Sequence, residues 1–346
     1  MSPEYSIILL TVFAGAGQGL FACLVAGDAL GFITGSPMDI NIMLTGAAVS
    51  LGMTIAGVGS SFLHLTHPER GIKTINQWKK SWLSLEAILL PVFMGFVAFY
   101  GILAYYGADT SLRLAVGGLG VVSAMALYLA SGMIYAAVPY IKEWSTPYTP
   151  INFTMIGLAS GGALQVGLLR FFNGPHITSL VMIAGLFAVT FTAMVIKLAY
   201  YLRNRRLYQP LTIQSALGIN HPDIVLMDMG TGYMHYNTKE YDYKGYQNSR
   251  GTIRIASIAL LFILPLALMT FDYMPLFNGD SAVAVGGGVL ALITAVSMIA
   301  GALMERWLFF VDGSHAQNLY YGGSKDFAAP NPILQASKKG APLPPG

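Results

Sequence analysis

Eight long runs of apolar residues dominate the chain, and each is long enough to cross a lipid bilayer as a helix. A transmembrane helix needs about 20 mostly apolar residues. The runs cover about 6–33, 40–64, 82–106, 111–138, 150–171, 176–201, 253–276 and 281–304. Because only helices and closed barrels satisfy the backbone polar groups inside a bilayer, runs of this length predict helices. The sequence therefore predicts an all-α, polytopic integral membrane protein with eight transmembrane helices in a bundle.

Composition agrees with this prediction and excludes several classes of protein. Only 10% of the residues are charged and 55% are hydrophobic, whereas a soluble domain has roughly 25% charged residues. We expect lipid, and no nucleic acid, around this chain. The lone cysteine, Cys23, allows neither an internal disulfide nor a multi-cysteine metal centre. The opening "MSPEYS" lacks a basic region, which favours a retained first helix over a cleaved signal peptide.

The distribution of Lys and Arg predicts the orientation in the membrane. Eight crossings place both termini on one side. That side receives seventeen of the nineteen Lys and Arg residues, and only Arg113 and Arg170 fall on the other. By the positive-inside rule both termini of this multi-pass protein are cytoplasmic. The predicted organisation is a membrane domain over 1–305, with a long cytoplasmic loop at 202–252, and a cytoplasmic tail over 306–346.

The most polar connection, "SSFLHLTHPERGIKTINQWKKSWLSLE" (60–86), joins the second and third runs. His64 ends the second run and Glu86 opens the third, so both are expected at similar depth on neighbouring helices. An imidazole titrates near neutral pH, and a half-buried carboxylate can exchange a second proton. Ionisable groups at membrane depth are functional candidates, and this pair suits a two-proton, two-electron carrier. The alternative is structural, since both positions also suit helix ends, with Ser81 as an N-cap.

Arg70, Ser61 and Trp82 complete the candidate site. Arg70 would steady the site or contact a partner, and its alternative is a solvated or headgroup-facing residue. Trp82 would otherwise be an interface anchor. The histidines offer no pair that could ligate a haem iron within the membrane, so we expect no haem and no metal in this chain.

Three segments resemble the dimethyl sulfoxide reductase membrane-anchor family, which also includes sulfite dehydrogenase-type anchors. The first carries a His-Leu step, a Pro-x-Arg turn and a Ser-Trp-Leu-Ser segment before a glutamate, here His64-Leu65, Pro68-Glu69-Arg70 and Ser81-Trp82-Leu83-Ser84 with Glu86. The second, "IYAAVPYIKEWSTPYTPINF" (134–153), matches at Tyr135, Pro139, Trp144, Pro150 and Phe153. The third, "ERWLFF" (305–310), matches at Arg306, Phe309 and Phe310, but the family's glutamate four positions before that arginine is Ala302 here.

The resemblance implies an anchor subunit that exchanges electrons between the quinone pool, menaquinone or ubiquinone, and an iron–sulfur subunit. That subunit would serve a molybdopterin catalytic subunit, either an S- or N-oxide reductase or a sulfite dehydrogenase. The anchor is then either non-catalytic or quinone-reactive, with His64 and Glu86 at the quinol site. The resemblance also implies a prokaryotic inner (cytoplasmic) membrane, and we expect the 202–252 loop to dock the partners. Two alternatives stay open, a polysulfide-reductase-like anchor and a small-solute membrane permease.

Overall fold

The computed structural model describes residues 4–62, 68–172, 174, 176–207, 249–277 and 284–313, and these ranges are helical almost throughout. The first six long helices are α1 (Tyr5–Thr34), α2 (Ile40–Ser61), α3 (Trp82–Tyr105), α4 (Thr110–Ala136), α5 (Tyr148–Phe171) and α6 (His176–Arg206). Helix α7 joins Arg250–Ile258, a π-helical segment Ala259–Ile263, and Leu264–Phe277, and α8 spans Ala284–Asp312. All eight are long and apolar enough to cross a membrane, which confirms the predicted polytopic fold.

Local sequence signals explain several helix ends. Helix α1 stops at Gly35, whose φ of 68° is the left-handed conformation that glycine adopts without strain. The side chain of Asp39 caps α2 by accepting a hydrogen bond from the Asn41 amide, and Asp109 caps α4 in the same way. Ser81 precedes α3 as predicted, although its side chain makes no capping hydrogen bond. The α2–α3 connection contains a 3₁₀ segment, Pro68–Gln77.

The helices run alternately up and down, which defines two ends of the bundle. We call the end where α1 begins the near end and the opposite one the far end. Ile8 of α1 packs in one apolar cluster with Phe309 and Phe310 of α8, so the described chain starts and finishes at the near end. The last turn of α2 is level with the first turn of α1, where the Ser60 hydroxyl donates to the Ser6 carbonyl.

Helices α1 and α5 cross at the centre with their backbones in direct contact. A Cβ atom on Gly161 would overlap the Leu20 nitrogen, and one on Gly19 would overlap the Gly157 carbonyl oxygen. No side chain larger than hydrogen fits there, so the crossing requires glycine on both helices. One apolar cluster lies mainly among α1–α4 and a second among α5–α8.

An aromatic cluster closes the near end. Tyr135, Trp144 and Phe153 pack with Phe309 and Phe310 at ring-centroid distances of 5.3–5.9 Å. The Trp144 indole nitrogen donates to the Phe309 carbonyl oxygen at 2.8 Å. The aromatic positions of the second and third segments singled out in the sequence therefore meet in space. Helix α8 also continues to Asp312, past the predicted domain boundary at 305.

Candidate functional site

Glu86 is buried inside the bundle, close to the end that we call the near end. It is the fifth residue of α3, only 8% of its surface is exposed, and its Oε1 accepts a 2.5 Å hydrogen bond from the Ser131 hydroxyl of α4. A carboxyl group in an apolar bundle costs free energy unless it is hydrogen-bonded or neutralised. The Ser131 hydroxyl uses only part of the acceptor capacity of the Glu86 carboxyl group, so this carboxyl is suited to binding and exchanging a proton.

A small cavity with both polar and apolar walls lies against this carboxyl group. Its volume is about 10 Å³, and Thr11 and Gln18 of α1, Ser131 of α4 and Phe153 of α5 line it together with Glu86. That volume holds about one water molecule. The Gln18 side-chain oxygen is buried and has no hydrogen-bond partner among the described residues. A water in this cavity would satisfy the amide and connect it to the carboxyl group.

Gln18 and Ser131 were not predicted from the sequence. Gln18 carries a usable signal, because it is an amide within a largely apolar run, "LLTVFAGAGQGLF". Ser131 carries none, since serines occur throughout these helices and only the packing of α3 on α4 brings this one to Glu86.

The other predicted site residues are only partly within the described chain. His64 lies outside the described residues. The backbone of Arg70 belongs to the 3₁₀ segment, but its side chain lies outside the description. Ser61 is half-buried at the end of α2, with its hydroxyl donating to the Val58 carbonyl at 2.7 Å. Trp82 is the first residue of α3 and is half-buried. The structure thus brings Glu86 together with Ser131 and Gln18, whereas its proximity to His64 stays a prediction.

A buried cluster of charges lies behind Phe153. The Lys197 ammonium of α6 is hydrogen-bonded to Glu305 of α8, and both side chains are at most 2% exposed. The Arg306 guanidinium approaches the same carboxylate at 3.4 Å and lies over the Phe153 ring, 3.6 Å from its centroid. Phe153 therefore separates this triad from the Glu86 cavity. The triad carries one more positive than negative charge, which favours negative charge nearby.

Two further buried ion pairs lie toward the far end. The Asp28 carboxylate of α1 accepts two hydrogen bonds from Arg113 of α4, at 2.8 and 2.9 Å. Arg170 of α5 donates to Asp272 of α7 at 2.9 Å. Both arginines that the sequence assigned to the far side are therefore paired inside the bundle. Within the described ranges, no group of three or more His, Cys, Asp or Glu side chains is placed to hold a metal ion.

Comparison with known proteins adds two findings. A family model described as DMSO reductase anchor subunit (DmsC) matches residues 1–322. The chain is also 35% identical over 335 residues to a protein of Allochromatium vinosum that is named as a subunit of sulfite dehydrogenase. That alignment covers 93% of this chain and 99% of the relative.

Proposed function

Since the chain belongs to the DMSO reductase anchor subunit family, we propose that it is the membrane anchor and quinone-reactive subunit of a molybdopterin oxidoreductase complex. It would exchange electrons between quinone in the bilayer and an iron–sulfur partner subunit, which in turn serves a molybdopterin catalytic subunit. The buried Glu86 carboxyl, placed against a water-sized cavity, is the observation that carries the quinone assignment.

The chemistry needs groups that exchange protons where the bilayer offers no bulk water. Reduction of a quinone to a quinol consumes two electrons and two protons, and oxidation of a quinol releases them. Glu86 would exchange one proton with the ring, either directly or through a water held between it and Gln18. His64, one short connection away, would hydrogen-bond a quinone oxygen and exchange the other proton. The cavity is too small for a quinone ring, so the ring would bind beside it, toward the α2–α3 connection.

The near end would face the cytoplasm and the partner subunits. The excess of Lys and Arg on that side supports this orientation by the positive-inside rule. The 202–252 loop, of which 208–248 lies outside the described residues, would contribute to docking. Deleting 210–248 should then release the soluble subunits from membranes, and retention of those subunits would refute this role.

The main test replaces Glu86 by glutamine in the assembled complex. Glu86→Gln keeps the size and the Ser131 hydrogen bond but cannot hold a proton on a carboxyl group. Quinone-dependent turnover should fall at least tenfold, whereas turnover with an artificial soluble electron carrier should be unchanged. Asp109→Asn at the exposed far-end cap of α4 is the matched control, and it should alter neither activity. Full quinone-dependent turnover in Glu86→Gln would refute the assignment.

A parallel test concerns His64. Replacing His64 by alanine should leave the complex assembled while abolishing quinone-dependent turnover. Assembly is measured by co-purification of the soluble subunits and by their iron and molybdenum content. Co-purification also separates an anchor from a small-solute permease, because a permease would be isolated without metal-rich partners.

The direction of electron flow follows from the catalytic partner. The family description names a sulfoxide reductase, and the relative from Allochromatium vinosum is named as part of a sulfite dehydrogenase. We propose sulfite oxidation first, because the relative is matched over nearly its entire length. The purified complex should reduce a quinone analogue with sulfite. Quinol-dependent reduction of dimethyl sulfoxide, without any sulfite activity, would reverse that proposal.

A further inference from the structure

A lateral crevice opens at the far end of the bundle, opposite the end that holds Glu86. Its volume is about 620 Å³, and residues of α1, α2, α5 and α8 line it. The floor is formed where α1 and α5 cross, at Leu20 and Leu164, and Val49 of α2 and Leu292 of α8 are on its sides. Leu292 is 59% exposed, so the crevice opens toward lipid. Ligand sites usually have volumes of about 300–1,000 Å³ and mostly apolar walls.

Arg170 is the charged residue among those that line the crevice, and it lies toward the far end of the bundle. Its side chain is 8% exposed, and the guanidinium lies against the α8 backbone, since a Cβ on Gly287 would overlap one Nη atom. One N–H donates to Asp272 at 2.9 Å. The Nε atom is buried without a hydrogen-bond partner among the described residues. A buried donor left unpaired is costly, so a small turn of this side chain that presents Nε to the crevice would be favoured once an acceptor is bound there.

The charge balance restricts the kind of acceptor. Asp272 already neutralises the guanidinium, so a phosphate would place a second anion beside a single cation in a low-dielectric setting. An uncharged carbonyl oxygen accepts the Nε–H hydrogen bond without that repulsion. Space for a flat head group is available because nothing lies within 4 Å of a Cβ on Gly167. The crevice therefore fits a neutral, lipid-soluble molecule with a ring carbonyl and a hydrocarbon tail.

We propose that this crevice is a second quinone-binding site, separate from the site at Glu86. One ring carbonyl would accept the Arg170 Nε–H hydrogen bond, and the hydrocarbon tail would leave past Leu292 into the bilayer. The carboxylate of this site is held by its arginine, so the site would retain a quinone rather than exchange protons with it. This proposal goes beyond the reaction at Glu86, and it does not depend on Glu86.

The test uses the full chain with its co-purifying subunits in phosphatidylcholine nanodiscs and an azido-ubiquinone as a photoreactive probe. Gly167→Phe should fill the crevice and lower labelling of α5 and α8 peptides at least tenfold. The matched control is Gly185→Phe on α6, where a Cβ also meets nothing within 4 Å but faces lipid. This control should keep the labelling of the native protein.

A second variant adds no volume. Arg170→Lys keeps a cation for Asp272 but removes the Nε donor, and it should weaken probe binding about tenfold. Glu86→Gln should leave the crevice labelling unchanged even where it abolishes turnover. The proposal for the crevice and the proposal for the Glu86 site are therefore tested separately. Native labelling in both Gly167→Phe and Arg170→Lys would overturn the proposal. Labelling that excess phospholipid, but not excess unlabelled ubiquinone, displaces would also overturn it, by identifying a lipid site.

Discussion

Removing one member of the Asp28–Arg113 ion pair should destabilise the protein far more than removing both. The carboxylate is 2% exposed and accepts two hydrogen bonds from Arg113 and a third from the Tyr100 hydroxyl at 2.8 Å. The pair thereby links α1, α3 and α4 toward the far end. Three hydrogen bonds to the carboxylate hold it beside the guanidinium in an apolar setting. Either charge would be costly to bury without the other.

The expected magnitudes differ between the two single variants. Asp28→Leu leaves a buried guanidinium that cannot lose its proton, and breaking such a pair costs about 3–5 kcal/mol. Tyr100 also loses its acceptor, which adds about 1 kcal/mol. Arg113→Met should cost less, about 3 kcal/mol, because the carboxyl group keeps the Tyr100 hydrogen bond and can be neutralised by a proton. The double variant removes both charges and should lie within about 2 kcal/mol of the native protein.

The measurement is a double-mutant cycle on the free energy of unfolding in mixed micelles, followed by far-ultraviolet circular dichroism as the fraction of denaturing detergent rises. The coupling between Asp28 and Arg113 should be about 5 kcal/mol or more, because the two single variants together cost about 7–9 kcal/mol and the double variant at most about 2 kcal/mol. Asp109→Asn serves as the control, with a change below about 0.5 kcal/mol, because asparagine caps a helix as well as aspartate. If the double variant loses as much stability as the two single variants combined, the pairing argument is wrong.

Three further predictions use the same unfolding measurement. Gly161→Ala should lower the free energy of unfolding by about 3 kcal/mol or more, because α1 and α5 must separate. The control Gly118→Ala, whose Cβ meets nothing within 4 Å, should change it by less than about 0.5 kcal/mol. Equal effects of the two variants would contradict the close crossing of α1 and α5. Glu305→Gln should cost about 3–5 kcal/mol, because it leaves two buried cations without their carboxylate, and a neutral result would show that the cluster is hydrated. Trp144→Phe should cost about 1 kcal/mol for the lost indole hydrogen bond; no change would mean that water replaces the indole.

The transmembrane helices could be predicted because length and apolarity alone decide what crosses a bilayer. The end of α8 was harder to predict from the sequence. Glu305 and Arg306 look like the start of a polar tail, and only their packing against Lys197 and Phe153 shows that the helix continues inside the bundle to Asp312. Charged residues mark a helix end only where they lack a buried partner, and the partner lies more than 100 residues away.

The candidate site was likewise only partly predictable from the sequence. Glu86 was identifiable as an ionisable residue at membrane depth, whereas Ser131, 45 residues away, depends on the register between α3 and α4. Gly117 and Gly120 pack closely against neighbouring side chains, whereas Gly118, next to Gly117 in the same helix, meets nothing within 4 Å. Helix register within the bundle is set by side chains on every neighbouring helix, and no single run of the sequence encodes it.

The π-helical segment of α7 changes the phase of the helix between its two ion pairs. Arg254 lies before the segment and pairs with Asp312 of α8, whereas Asp272 lies after it and pairs with Arg170 of α5. In an uninterrupted α-helix, two residues eighteen positions apart point in the same direction, because eighteen residues make about five turns. The wider turn shifts that direction by roughly a quarter of a turn. Helix α7 can therefore offer one face to α8 at the near end and another to α5 at the far end. The wider turn shifts the direction by about as much as one extra residue would, so removing one residue from Ala259–Ile263 would restore a regular helix with Asp272 still directed toward its arginine.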